Sequence, residues 1–203
     1  VASALAGLAS VMVKLVALPA LPFVARAWPV RVRWLAGLAV AISLAGYLLL
    51  ARGTDSGLEA FANHWRHNES LFAVLAAFAG DANARFVAAA LAAAVVTVAL
   101  LRRVEPVAGT RLVLRSGLLL GPVLHPWYLG WVLALEPLGP SPAWLLLSCT
   151  ALLGYGAGAP PAGGSTYHPG VAWRAVEYGL PLSLAAAMWL SKRARGTSVR
   201  TLP

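Results

Sequence analysis

Charged residues are scarce in this chain, and residues that support redox or disulfide chemistry are scarcer still. Only 11% of the 203 residues are charged, whereas soluble proteins carry about 25%. The single cysteine, Cys149, excludes a disulfide framework and a cysteine-based metal site. The sequence also lacks a phosphate-cradling glycine loop and a Ser-His-Asp spacing, so nucleotide-driven and hydrolase chemistry have no support. We expect no cofactor and no bound metal.

Apolar residues dominate what is present. Hydrophobic residues make up 60% of the chain, and the mean hydropathy is +0.74. This is enough for about six spans of about 20 residues each, with no room left for a sizeable soluble domain. We therefore predict an all-α, multi-span transmembrane helical bundle that forms a single transmembrane domain over residues 1–203. Its location would be the inner (plasma) membrane, with a multi-pass topology.

The charge that remains is strongly basic. The chain has sixteen Lys and Arg residues but seven Asp and Glu residues, which gives a net charge of +9. All the basic residues except Lys14 and Lys192 are arginine. This arginine bias is typical of a high-GC bacterial gene. In a membrane protein, basic residues mark the cytoplasmic loops, so we do not predict a nucleic-acid partner. The basic segments 26–33, 102–115 and 192–200 are predicted to be cytoplasmic.

The apolar runs set the predicted helices. They cover residues 1–25, 34–51, 86–101, 143–155 and 171–190, with a break near Pro19 and Pro22. The run 112–138 is interrupted by Pro122 and Pro126, and two limbs meeting near His125 would keep all three basic segments on one side. Residues 53–85 form a predicted outer loop that carries an interfacial or re-entrant helix at 71–79, about half the length of a span.

His125 is the strongest candidate for chemistry. It lies between Pro122 and Pro126 and beside Trp127 and Tyr128. An ionisable side chain near a helix break at membrane depth is costly and normally faces a cavity. The alternative is an interfacial aromatic belt. Lys14, within an apolar run, is either a snorkelling lysine or a cation that pairs with a phosphate.

Other polar residues have structural interpretations. His64 and His67 are one helical turn apart and near Glu69, which would permit metal ligation, but the spacing matches no recognised motif. Glu177 follows Arg174 by three residues, which indicates an ion pair along the last helix. Glu136, beside Pro137, is expected to be solvated.

Several segments resemble one enzyme family. The run His125-Pro126-Trp127-Tyr128, preceded by Gly121-Pro122-Val123 and followed by Trp131 and Pro137, is similar to the polyprenol-phosphate-mannose-dependent mannosyltransferases. So are Lys14 with Pro19, the segment Trp65-Arg66-His67-Asn68-Glu69-Ser70-Leu71-Phe72, and Glu177-Tyr178. The resemblance implies the type C glycosyltransferase fold and transfer of a sugar from a polyprenol-phosphate donor to a glycan or lipid acceptor at the outer face.

The resemblance also assigns roles. It implies that His125 is catalytic and that the substrates are bound by Lys14, Trp65, Asn68, Glu69, Trp127, Tyr128 and Glu177. Such enzymes carry a catalytic carboxylate in their first outer loop, and nothing before Lys14 supplies one. We therefore expect the chain to be the C-terminal part of a longer glycosyltransferase. The alternative function is a membrane transporter or lipid-binding scaffold without catalysis.

Overall fold

The computed structural model describes residues 2–13, 15–50, 64–156 and 170–198. These residues form helices and one isolated β-bridge, with no β-strand among them, which confirms the all-α prediction. They divide into two compact units. The N-terminal unit holds the described residues up to Trp65 together with Leu71–Pro122, and the C-terminal unit holds Arg66–Ser70 and the described residues from Val123 onward.

Long apolar helices build the N-terminal unit. In chain order its helices are α1 (Ala2–Val13), α2 (Leu21–Val24), α3 (Val30–Leu50), α4 (Leu71–Ala79), α5 (Asp81–Leu101) and α6 (Pro106–Leu120). Within the described residues, α3 and α5 are the helices long and apolar enough to cross a membrane. Each has 21 residues, or about 31 Å. The predicted helices at 34–51, 71–79 and 86–101 correspond to α3, α4 and α5, and α3 and α5 meet the requirements of a membrane span. Helix α5 begins at Asp81, inside the predicted outer loop 53–85, and residues 53–63 of that loop lie outside the described residues.

The first apolar run is broken, as predicted, but earlier than expected. Helix α1 ends at Val13, and Leu15–Ala20 continues as a 3₁₀-helix that contains Pro19. A proline ring clashes with the carbonyl four residues before it and supplies no N–H for the helical hydrogen bond. Pro19 therefore prevents a regular α-helix from running through Leu15, and α1 alone is too short to span.

Aromatic side chains packed against small residues make the core of this unit. Trp28 packs with Ala4 and Ala36, Phe23 with Ala20, Ala99 and Val113, and Phe72 with Ala84, Ala88 and Leu120. Gly109 is required beside Phe23, because a Cβ at Gly109 would lie 2.2 Å from Phe23 Cδ1. Small partners therefore let the helices approach closely around each ring.

Polar groups in the N-terminal unit serve the helix ends. Arg26 donates hydrogen bonds to the carbonyls of Leu100 (2.9 Å), in the last turn of α5, and Val104 (2.5 Å), just past its end. The Glu105 carboxylate caps α6 by accepting from the backbone N–H groups of Val107 (3.0 Å) and Ala108 (2.9 Å). These two hydrogen bonds hold the pKa of Glu105 below its ordinary value. Both side chains satisfy backbone groups that a helix end leaves unpaired.

The C-terminal unit is built from shorter pieces. Its helices are α7 (Gly130–Leu133), α8 (Pro142–Thr150), α9 (Leu153–Gly156) and α10 (Val171–Ser198), with 3₁₀ segments at Pro126–Leu129 and Glu136–Leu138. Helix α10 packs against α8 and α9. The predicted break near Pro122 and Pro126 is present, because α6 ends at Leu120 and both Gly121 and His125 are extended. The residues that follow, however, form short turns instead of a continuous second limb.

Two further predictions need correction. The predicted helix 143–155 is divided by a turn at 151–152. The Thr150 hydroxyl lies within hydrogen-bond distance of the carbonyls of Leu146 (3.2 Å) and Leu147 (3.3 Å), a contact that often bends helices. The predicted helix 171–190 instead continues to Ser198, because its lysine and arginine residues are good helix formers.

The environment of Glu136 also differs from the one predicted. The sequence indicated a solvated carboxylate, but Glu136 is buried, with 5% of its surface exposed. One carboxylate oxygen accepts a 2.6 Å hydrogen bond from the backbone N–H of Ser141. The carboxylate therefore helps to close the turn before α8, a local role that the apolar flanking sequence does not signal.

Candidate functional site

A short β-like contact positions the first histidine of the C-terminal unit. His67 and Val123 form an isolated parallel bridge, and the Leu124 N–H donates to the His67 carbonyl at 2.8 Å. Because Val123 and Leu124 are buried, this pairing fixes the segment 66–70 on the chain just before His125. The contact joins two of the segments that carry the family resemblance.

Five rings then follow one another in what we call the aromatic cluster, formed by His67, His125, Trp127, Tyr128 and Trp131. The ring centroids of His67 and His125 are 4.1 Å apart, and His125 stacks on Trp127 at 4.1 Å. Tyr128 meets His125 edge-on at 5.4 Å and stacks on Trp131 at 4.5 Å. The 3₁₀ turn Pro126–Leu129 brings these rings together, since it folds the chain back directly after His125.

The aromatic cluster has a buried side and an exposed side. His125 is half-buried, and its Nδ1 is buried without a hydrogen-bond partner among the described residues. Trp127 leaves 58% of its surface exposed. The cluster therefore presents an indole to its surroundings and holds an imidazole behind it.

Burial also sets the charge of His125. It lowers the pKa of His125 to about 4, and the neighbouring His67 ring lowers it further. At pH 7 the His125 imidazole is therefore neutral. A neutral imidazole has one donor and one acceptor nitrogen, so His125 can exchange a hydrogen bond or a proton with a bound group but adds no fixed positive charge.

A second group of side chains lies on the same segments, and we call it the buried polar network. It consists of Arg66, Asn68, Glu69, Arg174, Glu177 and Tyr178. Glu69 is central, because Arg66 Nε donates to its Oε1 at 2.7 Å and Arg174 Nη2 lies 3.4 Å from its Oε2. The Glu69 side chain is fully buried, whereas those of Arg66 and Arg174 are 18% and 22% exposed. A buried carboxylate held by two arginines fixes the segment 66–70 onto helix α10.

Asn68 makes the second link to helix α10. Its amide donates to Glu177 Oε1 at 2.6 Å, and the Tyr178 hydroxyl donates to the Asn68 carbonyl at 2.6 Å. Asn68 has a φ of +48°, a left-handed conformation that asparagine adopts more readily than most residues. A Cβ at Gly154 would lie 2.9 Å from the side-chain amide nitrogen of Asn68, so α9 needs a residue without a side chain at this position.

The site residues predicted from the sequence fall into three groups by their place in the structure. Asn68, Glu69, His125, Trp127, Tyr128 and Glu177 belong to the C-terminal unit. Trp65 belongs to the N-terminal unit, where it is half-exposed and its carbonyl accepts from Arg85 at 3.1 Å. Lys14 lies outside the described residues.

The structure changes two of the structural interpretations. Arg174 contacts Glu69 and Glu177 binds Asn68, so the main partners of the Arg174–Glu177 pair lie on another segment of the chain. Of the histidines suggested for metal ligation, His64 is exposed, whereas the His67 ring lies 4.1 Å from the His125 ring. Across the described residues, no three His, Cys, Asp or Glu side chains are placed to hold a metal ion.

Some members of the site were not singled out from sequence. Arg66 lies in a segment that resembles the family, but the resemblance implies no role for it. No local sequence pattern marks Gly154 or Thr150 as part of a site. Thr150 donates to the Glu177 carbonyl at 2.8 Å, more than 20 residues away along the chain. The spacing of Arg66 and Glu69, one helical turn apart, was the one local signal available.

Comparisons with known proteins found no relative of this chain. No family model matches the chain, and neither the curated proteins nor the solved structures contain a significant match.

Proposed function

We propose that this protein is part of an integral membrane glycosyltransferase that takes a sugar, in the resembled family mannose, from a polyprenol-phosphate donor. The acceptor is a glycan or lipid at the outer face. One observation carries the proposal: within the C-terminal unit, the segment 65–72 contributes His67 to the aromatic cluster with 125–128 and Asn68 to the buried polar network with 177–178, so three segments that resemble the family are linked. An aromatic belt at the membrane interface would not require the buried hydrogen bonds and ion pairs that hold these segments together.

The exposed side of the aromatic cluster is where the sugar would bind. Trp127 offers an exposed indole face on which the C–H groups of a sugar ring can pack. Tyr128 adds a phenol beside it, and burial raises the pKa of that phenol, so it remains a neutral hydrogen-bond donor. Sites for small ligands combine apolar surface with a few placed polar groups in this way.

His125 would act on the leaving group. In the transfer, an acceptor hydroxyl oxygen bonds to the anomeric carbon, the bond from that carbon to the phosphate oxygen breaks, and the electron pair leaves with the phosphate. A neutral His125 can donate a hydrogen bond to that oxygen as its negative charge develops. The resemblance also implies a phosphate-binding role for Lys14, which lies outside the described residues.

The acceptor proton needs a base, and the carboxylates of the buried polar network are poorly placed for that role. Glu69 and Glu177 have 1% and 0% of their surface exposed and are held by Arg66, Arg174 and Asn68. We therefore assign proton removal to a carboxylate outside this unit. Asn68, Glu69 and Glu177 position His67 and His125 and do not contact the sugar.

The proposal includes a multi-pass topology in the inner (plasma) membrane, supported by α3 and α5. Single cysteines at the two exposed ends of α5, Asp81→Cys and Arg102→Cys, test it on a background with Cys149→Ala. A membrane-impermeant thiol reagent added to intact cells should label Asp81→Cys and spare Arg102→Cys until the cells are lysed. Equal labelling of both from outside would contradict the topology.

Sugar transfer by the full-length protein tests the chemistry. His125→Ala should lower turnover by about 10²-fold, the usual effect of removing one electrostatic or acid–base group. His64→Ala is the matched control, because His64 is exposed and lies outside the cluster, and it should keep the parent rate. If both variants transfer sugar at the parent rate with unchanged donor dependence, the non-catalytic transporter or scaffold becomes the better account.

A further inference from the structure

The C-terminal end of helix α10 carries a feature that sugar transfer does not use. The helix continues without interruption from its apolar part through Lys192, Arg193 and Arg195 to Ser198. These three basic side chains are exposed, as are Trp189 and Leu190. No Asp or Glu follows Glu177 in the sequence. The end of α10 is therefore an exposed apolar surface that passes directly into a cluster of basic residues.

Three of these residues share one face of the helix. Lys192 and Arg193 follow Trp189 by three and four residues, a spacing that makes each of them a neighbour of the indole on the helix surface. The Arg193 guanidinium lies over the Trp189 ring, 4.0 Å from its centroid, a cation–π contact. Arg195 points elsewhere and donates to the Ser191 carbonyl at 3.3 Å. The ring of Trp189 therefore holds Arg193 in place beside Lys192.

The depth of this face in a bilayer follows from its composition. Tryptophan is enriched at the level of the lipid headgroups, and basic side chains just beyond an apolar helix are attracted to anionic lipids. A guanidinium offers paired N–H donors that match two phosphate oxygens. Basic residues near a helix C-terminus are also favoured by the helix dipole, but that effect does not explain a guanidinium held over an indole.

We propose that Trp189, Lys192 and Arg193 form a binding site for the headgroup of an anionic phospholipid. The phosphate is held by the two cations, and the Trp189 ring packs at the boundary between the headgroup and the acyl chains. The site requires that α10 be in a membrane, but it does not depend on the transferase proposal. An inactive transferase would leave it intact.

Lipid titration of the purified full-length protein tests the site. Dioleoyl phosphatidylglycerol is added in detergent, bound lipid is counted by native mass spectrometry, and dioleoyl phosphatidylcholine is the neutral reference. The parent protein should prefer the anionic lipid, and Lys192→Gln with Arg193→Gln should weaken its binding roughly tenfold. Trp189→Leu should weaken it about threefold, because it keeps an apolar side chain but removes the ring under Arg193.

A charge-matched control separates a site from general attraction. Arg102→Gln with Arg103→Gln also removes two exposed positive charges just past an apolar helix, and it should leave phosphatidylglycerol binding within twofold of the parent. All of these side chains are exposed, so the melting temperatures of the variants should match that of the parent. Equal binding of the two lipids by the parent, or equal losses in the two double variants, would overturn the proposal.

Discussion

The two units of this protein treat polar groups in opposite ways. In the N-terminal unit, long helices pack aromatic rings against alanine and glycine, and polar side chains such as Arg26 and Glu105 satisfy helix ends. In the C-terminal unit, short helices and turns surround a buried carboxylate, Glu69, and a stack of aromatic rings. Irregular backbone and buried charge are costly at membrane depth and persist where they serve a site or line a cavity. We propose that the N-terminal unit provides apolar helices for the membrane and that the C-terminal unit provides the chemistry.

The largest expected effect comes from removing the buried charge. Glu69→Gln keeps the size of the side chain but leaves Arg66 and Arg174 without their carboxylate. We expect a loss of about 3 kcal/mol, the low end for breaking a buried ion pair, because both arginines are partly exposed. The free energy of unfolding in mixed micelles, measured by titration with a denaturing detergent, checks this.

The matched control for that change lies in the N-terminal unit. Glu105→Gln also removes a carboxylate, but Glu105 is exposed and an amide oxygen can still accept from Val107 and Ala108. It should change stability far less than Glu69→Gln. If the two substitutions had equal effects, the contrast between a buried network and exposed helix caps would be wrong.

The next largest effect tests packing in the N-terminal unit. Gly109→Ala places a methyl group against the Phe23 ring, with 2.2 Å between Cβ and Cδ1, and should cost about 2 kcal/mol of stability, as overpacking typically does. Gly117 lies on the same helix, and a Cβ added there would meet nothing within 4 Å. Gly117→Ala should therefore stabilise α6 by up to about 1 kcal/mol. The same detergent titration measures both, and a neutral Gly109→Ala would show that Phe23 has room to move.

The smallest expected effect is a pH dependence in the C-terminal unit. The pKa of His125 is lowered to about 4 from an ordinary value of 6.5. The stability that this contributes is present above pH 6.5 and is lost as the pH falls towards 4, because the unfolded chain binds the proton more readily. Between pH 7 and pH 5 the melting temperature of the parent should fall more than that of His125→Gln.

Nuclear magnetic resonance gives the independent measurement for that prediction. The His125 imidazole signal, assigned by its loss in His125→Gln, should still show a neutral ring at pH 5. A midpoint near 6.5 would mean that the aromatic cluster does not bury the imidazole.

Local sequence features predicted the N-terminal unit better than the C-terminal unit. The apolar lengths located α3, α4 and α5, and Pro122 and Pro126 located the break after α6. The buried polar network could not be predicted in this way, because Asn68 and Glu177 are more than 100 residues apart in sequence and their hydrogen bond is a tertiary contact. Hydropathy likewise overlooked the turn after Thr150, because the residues around it are as apolar as a span.

Within the candidate site, the sequence singled out segments that the structure brings together, but not their arrangement. His125, Trp127 and Tyr128 were marked by their proximity to prolines and by the resemblance. Burial of Glu69 and Glu177 depends on Arg66, Arg174 and Asn68. A carboxylate that lies in solvent and one that is buried between two arginines have the same sequence letter, and only the partners distinguish them.

Photo-crosslinking tests the central claim most directly, namely that the aromatic cluster of the C-terminal unit holds the donor sugar. A polyprenol-phosphate-mannose analogue with a diazirine on the sugar is irradiated with membranes that contain the full-length protein, and the modified residues are identified by mass spectrometry. We predict adducts between Gly121 and Trp131 that excess natural donor suppresses and that Trp127→Ala reduces. Adducts confined to the N-terminal unit, or adducts that excess donor leaves unchanged, would contradict the account.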